Sequence, residues 1–276
     1  MRRKKITPSR VFVFLLLAAT AVVTLAPFIY MVITTFKEKS EYLVNMFGMP
    51  ENFSLKNYKI IFENYDVLRM NLNSFKVVII SVLGTLLITS MAGYALAKLD
   101  FKGKKLLYAL IAFCMIMPGQ VLMIPVYHIL TKLHLINSLV GLVLIYMTSS
   151  IPFATFLFAA NCLGIPDGVI EAAKIEGAGF VRIYTAIVLP LLRPTLAAVA
   201  ILNFISYWNE LFWAMILVQK ESERTLTVGL VSLTGRFGSN TPLVYTGLFI
   251  NCIPIIVIFF IFQKQLIKGT SAGALK

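Results

Sequence analysis

Residues able to transfer a proton, hold a metal or attack a bond are few in this sequence, and they stand apart from one another. His128 and His134 have no Cys, Asp or Glu at ligand spacing, so they make neither a metal site nor a catalytic dyad. Cys114, Cys162 and Cys252 lie in or beside apolar runs without redox or metal-like spacing, and are read as packing residues. The chain contains no GxxxxGK[ST] phosphate loop, so any ATP chemistry belongs to a partner. Glu210 is the one acid within an apolar run. An unpaired carboxylate is costly there, so it must face protein, a water-filled path or the outer interface, and its place near the end of the run argues against a proton relay. Asn203, Asn209 and Asn251 are either hydrogen-bonding groups between helices or contacts for solute hydroxyls, with packing the favoured role. Trp208 is expected to mark the outer membrane interface rather than to stack on a solute.

The polar residues that do gather lie in GIPDGVIEAAKIEGAGFVRIYTAIVLPLLRP, residues 164–194. Pro166 and Asp167 suit a first helical turn, because Pro needs no amide donor there and a carboxylate meets the free amides. Ala172 and Ala173 favour helix, and Gly177 and Gly179 offer places to stop, so a short helix is expected from Gly168 to Glu176. Glu171, Lys174 and Glu176 keep one side wet, while Val169, Ile170, Ala173 and Gly177 leave a surface of small and apolar residues. By pattern alone this is either a protein-docking helix or an amphipathic helix on a membrane surface.

The elements that must hold these residues are set by composition. Of 276 residues, 59% are hydrophobic and only 13% charged, with a mean hydropathy of +0.86. A soluble domain carries roughly twice that charged fraction, so the chain is an all-α, polytopic membrane protein. The net charge of +13 sits at the ends of apolar runs rather than on a basic face, which argues for bilayer orientation and against nucleic acid.

Six spans are predicted: Val11–Ile33, Val77–Ala97, Leu107–Leu130, Val140–Phe158, Thr195–Val218 and Tyr245–Phe262. The first continues beyond a signal core, so Ala19-Thr20-Ala21 is not expected to be a cleavage site. Pro27 is expected to kink its span without ending it, and Pro118 and Pro125 to bend the third. The interval 34–73 reads as a charged outer loop with a short helix within Asn57–Arg69, and Gln219–Asn240 as a polar outer loop. Fifteen of the 25 Lys and Arg residues then fall on one side, which the positive-inside bias makes cytoplasmic together with both termini and residues 164–194. The expected organisation is a basic N-terminus at 1–10, a permease domain at 11–262 and a tail at 263–276.

With these residues in hand, the chain resembles the permease subunits of binding-protein-dependent ABC importers, in particular the maltose-type second permease of sugar importers. The family pattern is Glu-Ala-Ala, three residues, Gly, nine residues, Ile, one residue, Leu-Pro; here Glu171, Ala172, Ala173, Gly177, Ile187, Leu189 and Pro190 occupy its positions. The Trp208-Asn209-Glu210 triplet and the tail KGTSAGALK extend the likeness over nearly the whole chain.

The resemblance implies a type I importer permease fold with a cytoplasmic coupling helix between spans four and five, on which Glu171, Ala172, Ala173 and Gly177 dock. Leu189, Pro190 and Pro194 are expected to turn the chain into the fifth span. It implies a non-catalytic subunit in a bacterial or archaeal cell membrane that binds no cofactor, with ATP and Mg on two ATPase subunits. The other implied partners are a second homologous permease, an extracellular or periplasmic solute-binding protein, and lipid. Arg182 and Arg193 are lipid or partner contacts, and Gly269 and Gly273 lie in a tail that reaches the ATPase interface. The alternative is a secondary, ion-coupled transporter, which needs a midplane acid or an inverted repeat; a channel lacks a filter.

Overall fold

The computed structural model describes residues 8–238 and 240–273, with side chains to Gln263 apart from those of Thr234, Arg236 and Phe237. Of the expected basic termini, residues 1–7 and 274–276 lie outside the described residues, as do the side chains of the tail beyond Gln263. In chain order the helices are α1 (Pro8–Thr35), α2 (Lys39–Val44), α3 (Lys56–Asn64), α4 (Val67–Lys98), α5 (Lys104–Ile116), α6 (Met123–Lys132), α7 (Leu139–Leu163), α8 (Asp167–Ile175), α9 (Phe180–Ile183), α10 (Leu189–Leu191), α11 (Arg193–Trp208), α12 (Phe212–Leu217), α13 (Leu226–Phe237) and α14 (Thr241–Gly273). No strand occurs among the described residues.

Among the described residues, four helices are long and apolar enough to cross a bilayer unbroken: α1, α4, α7 and α14 as far as Gln263. Two further apolar runs are broken. Lys104–Ile116 and Gly119–Lys132 meet at 97°, and Phe180–Leu191 and Arg193–Trp208 at 74°, giving six membrane segments if each pair counts as one. The first break falls at Met117 and Pro118, both extended, and Pro118 has no amide with which to continue α5. Pro27, Pro152 and Pro254 are carried inside α1, α7 and α14 without ending them.

Backbone packing divides the chain into two compact units. One comprises the residues up to Val67 together with Gly229–Ile253. In it the end of α1 is knotted to the segment that follows. Asn57 Nδ2 donates to Thr35 O (2.9 Å) and Lys37 O (2.8 Å), and the fully buried Lys37 Nζ donates to Asn45 O (2.7 Å) and Met46 O (3.3 Å). Burying an ammonium requires such partners, and the two carbonyls supply them. Tyr30 reaches the Tyr42 hydroxyl at 3.3 Å, and its ring meets Tyr245 edge-on. Leu230 and Leu233 of α13 pack so near Gly247 of α14 that a Cβ there would lie 2.8 Å from each.

The other unit comprises Leu68–Val228 with the described residues from Pro254 onward. Its α4 and α7 approach closely at Gly93, where a Cβ would lie 2.5 Å from Phe158 Cβ and 2.8 Å from Ala159 N. Several hydroxyls inside find partners within the unit, as a low-dielectric setting favours. Thr89 donates to Thr85 O (2.6 Å), Thr85 pairs with the Tyr207 hydroxyl (3.0 Å), and Ser90 pairs with the Tyr184 hydroxyl (2.7 Å).

Three expectations on element limits need correction. The short helix expected within 57–69 is α3, but Arg69 already belongs to α4, which starts ten residues ahead of the expected Val77. Asn73 of that early stretch donates to Ser222 O (2.9 Å) and Arg224 O (3.1 Å), so its polarity serves packing rather than solvent. The interval 219–240 is not an irregular polar loop, since it contains α13, whose Leu226, Leu230 and Leu233 are buried. The fifth apolar run does not continue helically to Val218, because α11 ends at Trp208 and α12 restarts at Phe212.

Candidate functional site

The short helix read from residues 164–194 is α8, Asp167–Ile175, with the extended Pro166 before it and Asp167 as its first residue. Its C-terminus closes on two hydrogen bonds, Ala178 N to Ala173 O (2.9 Å) and Gly177 N to Lys174 O (3.0 Å), with Gly177 at φ +79°. This is a Schellman closure, in which the residue after the cap must adopt the left-handed region. Gly177 is therefore required for its backbone. Its chain neighbours aside, no described residue comes within 4 Å of where its Cβ would be.

The helix has one face in the protein and one outside. Ile170 and Ala173 are buried in a cluster with Tyr94 of α4, Ala154, Phe158 and Cys162 of α7, and Ile183, Tyr184 and Val188. Glu171, Ala172, Lys174, Glu176 and Gly177 are exposed, and Ile175 is 87% exposed. The matched positions thus separate into kinds: Glu171 and Ala172 face outward, Gly177 forms the turn, Ala173 packs inward, and Ile187 and Leu189 pack against the same cluster. The resemblance groups Ala173 with Glu171 for docking; at 7% exposure it lies on the packed side of α8 with Ile170, where the helical pattern set it.

After α8 the chain winds through α9, the π-helical turn Tyr184–Val188 and α10, then bends at Leu192 into α11. Pro190 and Pro194 cannot donate amide hydrogens, so the regular ladder is interrupted at both. The wide turn and the 74° bend sit where the sequence places these prolines. Arg182 and Arg193 are exposed beside them.

The polar residues of the fifth run have distinct surroundings. Glu210 Oε1 accepts from Trp213 N (2.9 Å), and Oε2 accepts from Ala214 N (3.1 Å) and the Tyr146 hydroxyl (3.1 Å). The carboxylate thereby satisfies two of the free amides at the start of α12 and ties that end to α7. Trp208 is 2% exposed, stacked on Phe204 at 5.6 Å and edge-on to Phe75 at 4.8 Å, so it packs inside rather than marking an interface. Asn209 is exposed and bonds its own helix at Ile205 O (2.9 Å). Asn203 is buried with Nδ2 unbonded to any described residue. Asn251 of α14 is 9% exposed and belongs to the other unit.

Sequence reasoning missed the residues that anchor α8 and α12. Lys98 reads in sequence only as a charge at a span end; here its Nζ donates to Ile165 O and to Asp167 Oδ1, both at 2.6 Å. Asn137, with φ +57°, accepts at Oδ1 from Gln219 N (2.7 Å) and Lys220 N (3.0 Å), and donates its amide to Leu217 O (2.7 Å), which holds the far end of α12. An Asn before a capping Ser138 is the only local sign of that turn.

Comparison with known proteins places this arrangement among others. A family model described as the binding-protein-dependent transport system inner membrane component matches residues 84–271. The arabinooligosaccharides transport system permease protein AraQ of Halalkalibacterium halodurans is 31% identical over 263 residues, covering 94% of each chain. The melibiose/raffinose/stachyose import permease protein MelC of Bacillus subtilis is 30% identical over 271 residues, covering 98% of each. Among solved structures, a chain of a bacterial ABC transporter that imports the acidic polysaccharide alginate superposes with a TM-score of 0.82 at 24% identity, over 95% of this chain and 99% of that one. A chain of an alginate transporter in complex with its alginate pentasaccharide-bound periplasmic protein gives a TM-score of 0.67 at 14% identity, over 92% and 93%.

Proposed function

The chain belongs to the family of binding-protein-dependent transport system inner membrane components and is a non-catalytic permease subunit of an ABC importer, and we propose that its cargo is a carbohydrate and that α8 is where ATP-driven motion enters. The observation that carries the second part is the two-sided build of α8. Its inner face is part of the core shared by α4, α7 and α11, and its outer face presents Glu171, Ala172 and Ile175 to whatever binds there. A rigid-body push on that face moves three membrane helices together.

In this reading residues 11–262 are one permease domain, 164–194 its coupling loop, and 1–10 and 263–276 cytoplasmic ends in a bacterial or archaeal cell membrane. Two ATPase subunits carry ATP and Mg, a second permease completes the path, and an external binding protein delivers the sugar. Glu171 pairs with a basic group of the ATPase, while Ala172 and Gly177 leave room for its approach. Asn203 and Asn251 are held as path or packing residues. Sugar importers named among the relatives support the cargo class. The engagement of Glu210 as a helix cap speaks against an ion-coupled transporter, which needs a free acid on its path.

Uptake by the complete complex in vesicles, screened over mono-, di- and oligosaccharides and sugar phosphates, tests both parts. Accumulation should require the binding protein and ATP. Undiminished uptake without the ATPase subunits would sink the importer mechanism, and transport of none of the sugars would sink the cargo class.

A further inference from the structure

We propose that Lys98 is a positioning residue that locks α8 to α4, so that a displacement of α8 is delivered to α4 as directly as to α7. The proposal rests on the reading of α8 as the ATPase-docking element and adds the route by which its motion reaches a helix with which it has no chain continuity.

The link to α7 is covalent and short, through Gly164, Ile165 and Pro166. The link to α4 joins residues 69 positions apart. Lys98 is the last residue of α4 and Asp167 the first of α8. A cation suits the C-terminal pole of one helix and an anion the N-terminal pole of the other, so each charge favours its own helix end while the pair joins the two. The Lys98 side chain is only 6% exposed, against 75% for Asp167. A sheltered ammonium held by a neutral carbonyl and a charged carboxylate is strongly directional. Its acceptors lie on either side of Pro166, whose ring fixes φ near −60°. The clasp therefore grips the stiffest point of the α7–α8 connection.

Lys98 is also the last rung of a ladder along one face of α4, at a spacing of four residues. Ser90 pairs with the Tyr184 hydroxyl of the π-helical turn at 2.7 Å. Tyr94, 1% exposed, packs its ring against Phe180 at 5.5 Å and Tyr184 at 5.9 Å, in the cluster that buries Ile170 and Ala173. Lys98 then holds α8 itself. Without it, α4 would reach α8 itself only through the apolar packing of that cluster, which lacks directional hold.

The test uses the complete complex in proteoliposomes, reading sugar taken up per ATP hydrolysed and the ATPase that copurifies. Lys98→Met should still assemble with the ATPase while uptake per ATP falls about tenfold, the scale of one charge-assisted hydrogen bond lost. Lys98→Arg should recover most of it. Asp167→Asn, which keeps the bond to Ile165 O, should lose less than Lys98→Met. Uptake per ATP at the wild-type level in Lys98→Met overturns the proposal, and so does loss of ATPase copurification, which would make Lys98 a folding residue of α8. If Glu171→Lys and Ile175→Asp both leave ATPase copurification and uptake intact, the docking reading falls first, and this inference with it.

Discussion

At the scale of single residues, Gly177 and Glu210 have roles that substitution can separate. Gly177 has open space around its Cβ position and a left-handed backbone, so the demand within this chain is conformational. Gly177→Ala should destabilise the loop by about 1–2 kcal/mol, read as a lowered unfolding midpoint in detergent. Gly177→Asn should be milder, because Asn tolerates that region. If Asn impairs ATPase binding more than Ala does, space for the partner is the stronger demand. Glu210→Gln leaves an amide nitrogen facing either Ala214 N or Trp213 N and should lower stability by about 1 kcal/mol, the usual scale of a lost helix cap. Transport should decline only in step with that loss. A fall in uptake with unchanged stability would instead place the charge on the path. Trp208→Ala should cost about 3–5 kcal/mol, as for other buried aromatic truncations, measured by chemical unfolding.

Among the elements, α8 was legible in sequence because it carries the signals of a soluble helix: Pro and Asp at its start, alanines inside, Gly at its end. The bend into α11 was legible from Pro190 and Pro194, and the broken third segment from Pro118. The hidden element is α13, whose Leu226, Leu230 and Leu233 are spaced for one helix face but interspersed with Thr, Gly and Ser, which weaken helix propensity and made 219–240 read as loop. The early start of α4 was hidden for the opposite reason: Arg69, Asn71, Asn73 and Lys76 look like solvent residues, and only tertiary partners such as Ser222 O give Asn73 an interior role. For the site, helical spacing set Ala173 beside Ile170 and away from Glu171, as in the structure, but left the docking role of Glu171, Ala172 and Gly177 to the resemblance. It also gave no sign of Lys98, whose partner is 69 residues away. Because Ile175 is the most exposed large apolar residue of α8, Ile175→Asp should weaken ATPase copurification about tenfold or more while leaving membrane insertion intact, as expected where an apolar anchor meets a desolvated pocket.

At the scale of the molecule, the proposed orientation, read from the charge bias of the sequence, makes the loop of α8 cytoplasmic and the interval after the first span external. Cysteine introduced at Glu176 should react with an impermeant maleimide only in inverted vesicles or opened cells, and cysteine at Ser54 in intact cells; the reverse pattern would invert the proposed orientation. The division of α8 into an inner and an outer face also has a genetic consequence. Ala172 and Ala173 are neighbours in one motif, yet under the proposed docking a bulky residue at each offends a different protein. Second-site revertants of an enlarged Ala173 should arise within this polypeptide, among neighbours such as Phe158 or Tyr94 that can shrink to make room. Revertants of an enlarged Ala172 should arise in the gene for the ATPase. Two adjacent codons would thus mark the boundary between what this chain can repair by itself and what it must negotiate with its partner.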